Sequence, residues 1–179
     1  MTIYIALLRG INVGGHHKLK MADLKALLET MGLQKVKTYI QSGNVLFESN
    51  EDMKQLGGRL EDEISKTFGF PVPVILRSAE EYEKTIQTCP YPIGSLNEGE
   101  SVHLAFLEAE PADEGVAKLQ AYQTDMDEFS IMGKDVYLFF RHSFRDSKLA
   151  AQLPKLGVSA TVRNWKTVTK LAEMVKEMA

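Results

Sequence analysis

The strongest constraint on this chain lies at its start. Thr2 to Leu8 (TIYIALL) is apolar with no polar alternation, and it stops abruptly at Arg9-Gly10. A short β-branched run of this kind, bounded by a turn signal, predicts a strand covered on both faces, hence an interior strand of a sheet. The run is too brief for the core of a signal peptide and far short of a membrane span.

The segments that follow supply its neighbours. Met21, Leu24, Leu27, Leu28 and Met31 recur at helical spacing, with Gly32 as the stop. Val36 to Gln41 and Val45 to Glu48 read as strands joined at Ser42-Gly43-Asn44, a hairpin signal. Met53, Leu56, Leu60, Ile64 and Phe68 mark a second helix over Glu51 to Phe68, with Leu24, Leu27, Leu56, Leu60 and Ile64 as the helical side of the core. Val72 to Arg77 is a further strand, placed at an edge by Pro71 and Pro73. The order is βαββαβ.

Ser78 and Glu81 stand at capping-box spacing and open a connecting helix, after which Cys89 to Glu100 reads as irregular. The same order then recurs: strand Val102 to Leu107, helix Asp113 to Tyr122, a hairpin of Glu128 to Met132 and Val136 to Arg141, helix Ser147 to Leu156, strand Ser159 to Arg163. A last helix spans about Trp165 to Met178. The expectation is an α+β chain of two consecutive ferredoxin-like (βαββαβ) subdomains, residues 1–77 and 101–179. Residues 78–100 form the linking helix and loop, and the second subdomain carries a C-terminal helix.

In such a unit the strand order is 4-1-3-2. The loop Arg9 to Lys20 and the hairpin at Gln41 to Asn44 must then emerge at one end of the first sheet. The loop Arg141 to Lys148 and the segment Arg163 to Lys166 must share an end of the second. Both ends collect cations. Net charge is −3, yet Lys and Arg outnumber Asp and Glu six to three over residues 1–50 and nine to four over 134–179, against six to seventeen in the acidic stretch 51–133. A local positive field at the two loop clusters is compatible with the acidic total.

The first loop, with Gly14, Gly15, His16 and His17, follows a strand and leads into a helix, a place where backbone amides hold anions. It lacks both the dinucleotide Gly-x-Gly-x-x-Gly spacing and the P-loop ending, so no nucleotide motif is present. Adjacent histidines on a loop do not converge on one ion, and Cys89, the single cysteine, has no partner at ligand spacing. No metal and no cofactor are expected. A lone cysteine also forms no internal disulfide, which suits a reducing, cytoplasmic compartment. Asn164 is placed to cap the last helix, Trp165 to pack at its start, and His142 is a candidate base without an identifiable nucleophile.

These features point first to a protein binding a phosphorylated or otherwise anionic small ligand between the two basic ends. Its candidate ligand-binding residues are Arg9, Asn12, Lys18, Lys20, Ser42, Asn44, Arg145, Arg163, Asn164 and Lys166. The alternatives are an enzyme acting on an anionic substrate, with His16, His17 or His142 moving a proton, and a non-catalytic interaction module. Nucleic acid is the less favoured partner, because Val45 to Glu48 lacks the stacking aromatics of an RNA-reading sheet. No membrane partner is expected.

Several motifs also carry a family resemblance. Ala6 to His16 (ALLRGINVGGH), Lys20-Met21, Thr38 to Val45 (TYIQSGNV), Ser147-Lys148-Leu149 and Thr161 to Val168 (TVRNWKTV) closely resemble the bacterial domain-of-unknown-function 1697 family. The resemblance covers essentially the whole chain. It implies a pair of ferredoxin-like subdomains and no established activity. Lys166 stands where many members would carry Asn.

Overall fold

The computed structural model describes all of residues 1–179. The architecture is mixed α+β, with two four-stranded antiparallel sheets and six α-helices. The first sheet contains β1 (Thr2–Leu8), β2 (Gln34–Tyr39), β3 (Asn44–Ser49) and β4 (Val74–Ser78), in the order β2-β3-β1-β4. Strand β1 is interior, as its unbroken apolar run requires: Leu7 pairs with Asn44 on one side and Ile75 on the other. Its side chains alternate between faces, and both sets are buried. Tyr4, Ala6 and Leu8 enter a core with Val45, Phe47 and Leu76.

Helices α1 (Met21–Thr30) and α2 (Met53–Phe68) close that core with Leu24, Leu28, Leu56, Leu60 and Ile64. Leu28 is fully buried and Leu27 packs only at the margin, so α1 is turned one residue from the sequence expectation. Helix α2 ends on Gly69 at φ 83, the left-handed conformation that a C-terminal glycine supplies without Cβ strain. Strand β4 starts after Pro73 and occupies an edge, where missing backbone donors are tolerated. The opposite edge, β2, is irregular. Its pairing with β3 shifts register between Gln34 and Lys37, Lys35 sits at φ 51, and its ammonium lies 3.3 Å from Glu48.

Helix α3 (Ala79–Gln87) opens with a reciprocal capping box: Ser78 N donates to Glu81 Oε1 at 3.1 Å and Glu81 N donates to Ser78 Oγ at 3.2 Å. The second sheet holds β5 (Ser101–Leu107), β6 (Asp127–Met132), β7 (Asp135–Phe140) and β8 (Ala160–Asn164), in the order β6-β7-β5-β8. Its core joins Ala105, Leu107, Val136, Leu138 and Phe140 to Leu119 of α4 (Asp113–Gln120) and to Leu149, Leu153 and Leu156. The helix expected over Ser147 to Leu156 is broken. Only α5 (Lys148–Ala151) is α-helical; Gln152 departs from helical torsions and Leu153–Leu156 is a 3-10 turn. Pro154 is the cause, since it lacks the N–H for the i−4 bond and its ring crowds that carbonyl.

A last helix, α6 (Trp165–Met178), ends the chain. Two compact units emerge from the contacts, Met1–Lys84 with Thr169–Ala179, and Thr85–Val168.

Candidate functional site

In the first unit, the loop after β1 and the hairpin after β2 do meet. Leu8 N donates to Gly43 O at 2.8 Å, and the Asn12 amide donates to both Leu19 O and Gln41 O at 2.8 Å while its oxygen accepts from Leu19 N at 2.8 Å. Asn12 adopts φ 56, a left-handed torsion that Asn tolerates better than most residues. It is the brace of this end of the sheet. Asn44 is wholly buried, its amide donating to Tyr39 O at 3.0 Å and Ser42 Oγ at 2.9 Å. Arg9, Lys18 and Lys20 are exposed on the same loop, and Lys20 stands at the start of α1 without a side-chain cap. His17 stacks on Phe70 at 4.5 Å, and His16 is exposed.

In the second unit the four sequence candidates separate by role. Arg163 is 7% exposed and donates from Nη1 to Thr161 Oγ1 at 2.7 Å and Val162 O at 3.1 Å. Asn164 Oδ1 accepts from Thr167 N at 2.9 Å, the N-cap of α6. Lys166 and Arg145 are exposed. Arg145 lies in a 3-10 turn, Phe144–Asp146, which is capped by Ser143. Phe144 pins this turn to the sheet by stacking on His103 at 4.6 Å.

Beside that turn lies a pocket of about 630 Å³, lined by Ala121, Tyr122, Thr124, Met126, Asp127, His142, Asp146 and Lys148. At its base the buried Asp127 carboxylate is engaged at both oxygens: His142 Nε2 is 2.6 Å from Oδ1, and Ser147 Oγ donates to Oδ2 at 3.0 Å. A carboxylate facing Nε2 favours the tautomer that carries its proton on that nitrogen, in which Nδ1 is an acceptor. Ser147 is committed elsewhere as well, because its oxygen accepts from Ala150 N at 3.0 Å. It caps α5 rather than serving as a nucleophile. Asp146 and Lys148 make no ion pair with each other or with any other residue.

Neighbouring Arg141 is already engaged. It lies 2.6 Å from Glu128, donates to Asp125 O at 2.7 Å, and packs 4.5 Å over Phe139. Burial raises the Cys89 thiol pKa and pushes the Tyr91 phenol up to about 12, with Glu128 adding to the latter. Neither group lines the pocket. No group of three His, Cys, Asp or Glu side chains could hold a metal ion.

The sequence flagged His142 and the stretch around Lys148 but missed Asp127, Asp146 and Tyr122 as pocket residues. An Asp at the first position of a strand carries no signal of its partners. Only β7, by returning the chain through Arg141 to Lys148, brings His142 and Ser147 onto it.

Three comparisons bear on this geometry. A family model described as "Protein of unknown function (DUF1697)" matches residues 1–137. Among solved structures, the conserved bacterial protein SP0830 from Streptococcus pneumoniae is 29% identical, with 97% of this chain and 98% of that one covered and a TM-score of 0.78. No curated protein matches the chain.

Proposed function

Because the chain belongs to the DUF1697 family, whose description assigns no activity, we propose its function from the site alone: it binds a small ligand bearing an anionic group, in the pocket beside residues 141–148. The observation that carries this reading is the pairing of His142 with the buried Asp127 carboxylate in a pocket that also exposes the unpaired ammonium of Lys148. The free cation is what an oxyanion requires of a site, while the fixed ring, whose Nδ1 is an acceptor, takes a donor elsewhere on the ligand. Arg145 adds positive field from the adjacent turn.

The basic loop of the first unit, Arg9 with Lys18 and Lys20 braced by Asn12, Ser42 and Asn44, is a second anion-facing surface in this reading. Each sheet with its helices is a ferredoxin-like subdomain, and the division at residues 77 and 101 is part of the proposal. The His142–Asp127 pair also favours an enzymatic variant, in which Nδ1 accepts a proton from the bound substrate. No helix is long and apolar enough to cross a membrane.

Thermal-shift measurements with inorganic phosphate, sugar phosphates and nucleotides test the reading. A ligand at about a hundredfold its dissociation constant should stabilise the protein by ~2.7 kcal/mol. The shift should shrink with added salt and disappear in Lys148→Met. An unmoved melting curve across the panel at low salt overturns it.

A further inference from the structure

The charges lining the pocket are not all of one sign. Of its two carboxylates, Asp127 is spent: it is 4% exposed, with one oxygen facing His142 and the other taken by Ser147. Asp146 is different. It is exposed, lines the same pocket as Lys148, and takes part in no ion pair. One free anion and one free cation therefore face a single ligand space, with Tyr122 and Met126 as its apolar wall.

Asp146 ends the 3-10 turn Phe144–Asp146 and Lys148 opens α5, with one residue between them. Ser147 has extended torsions, φ −77 and ψ 119, and is buried. Ser147 turns inward to Asp127, while Asp146 and Lys148, on either side of it, are exposed and line the pocket. Opposite charges that line one space without pairing repel any simple ion at one point while attracting it at the other. A ligand carrying both charges is attracted at both.

Resting on the reading of this pocket as a site for anion-bearing ligands, we propose that its ligand is a small zwitterion, with its phosphate or carboxylate on Lys148 and its ammonium on Asp146. His142 Nδ1 accepts a further hydrogen bond from the ammonium or from a hydroxyl of the ligand. The class comprises aminoalkyl phosphates and amino acids whose two charges are separated by a few bonds.

Titration calorimetry of the full chain with O-phosphoethanolamine, methyl phosphate and ethanolamine tests this. The zwitterion should bind at least about tenfold tighter than methyl phosphate, since it gains a second charge-assisted contact. Asp146→Asn should erase that advantage, since O-phosphoethanolamine loses its ammonium contact while methyl phosphate, relieved of the repulsion, binds at least as tightly as before. Asp146→Glu, which keeps the charge, should retain it, and Lys148→Met should abolish binding of both phosphates. If methyl phosphate binds as tightly as O-phosphoethanolamine, or Asp146→Asn leaves their ratio intact, the zwitterion assignment falls while the anion reading stands. If neither phosphate binds, both fall.

Discussion

Arg77 and Arg163 occupy the same place in their two sheets. Arg77 lies opposite Ile5 of the interior strand β1, and Arg163 lies opposite Leu104 of the interior strand β5. Each is nearly fully buried and donates from Nη1 to the carbonyl of the residue before it, at 3.0 Å and 3.1 Å. Each is followed by the residue that caps the next helix, Ser78 in one case and Asn164 in the other. The repeat visible in the element order thus reaches a pair of individual side chains.

A buried guanidinium is tolerated only where its donors are satisfied. Replacing either arginine by methionine keeps much of the stem packing and removes the donors. Each substitution should cost about 1.5–3 kcal/mol, the range for hydrogen bonds to charged groups. Urea midpoints of Arg77→Met and Arg163→Met check this, and an unchanged midpoint for both would show that these bonds contribute nothing net.

Gly43 holds the first loop cluster together by having no side chain. A Cβ there would lie 2.7 Å from Leu8 Cβ and 2.9 Å from Ile11 Cδ1, at a φ of 91. Gly43→Ala should therefore destabilise by ~1–3 kcal/mol through overpacking, with torsional strain adding to it. Faster proteolysis between residues 10 and 20 in the variant would be the accompanying sign.

The phase of α1 is testable with two neighbouring leucines. Leu28→Ala should cost ~2–5 kcal/mol as a full core truncation, and Leu27→Ala clearly less. Chemical denaturation of the two variants decides it. A larger loss for Leu27 would mean that the helix is turned the other way.

His103 should impose a pH dependence on stability. It lies between Phe140 and Phe144, its Nδ1 is buried without a hydrogen-bond partner, and burial lowers its pKa to about 4. In the unfolded chain an imidazole titrates near ~6.5. Above that value both states are neutral and the group contributes no slope. As pH falls from 6.5 towards 4 the unfolded state binds a proton that the folded state refuses, so stability declines; below about 4 the slope vanishes. His103→Phe should flatten the difference between denaturation midpoints at pH 7 and pH 5. Equal pH slopes in the variant and the wild type would contradict the assignment.

What the sequence revealed follows from the range of the interactions involved. Strand β1, the capping box at Ser78 and Glu81, and the cap at Asn164 are local patterns, each specified within about four residues. The meeting of the Asn12 loop with the Gln41 hairpin was readable one level up, from strand order. The split of the second half's second helix was missed although Pro154 stood in view, because the apolar spacing of Leu149, Leu153 and Leu156 fits a continuous helix. The pocket was the least legible. Asp127, His142 and Ser147 are 15 to 20 residues apart in pairs anchored on Asp127, and nothing local marks a carboxylate whose partners arrive from another strand's exit.

The irregular edge of the first sheet bears on how the protein survives at high concentration. An edge strand offers unpaired backbone groups to any other extended chain. On β2 the register shift between Gln34 and Lys37 interrupts the straight row of donors and acceptors such an intruder needs, and Lys35 and Lys37 place ammonium groups along the same few residues. The shift and the two lysines are thus the features that keep this edge from pairing with a second extended chain.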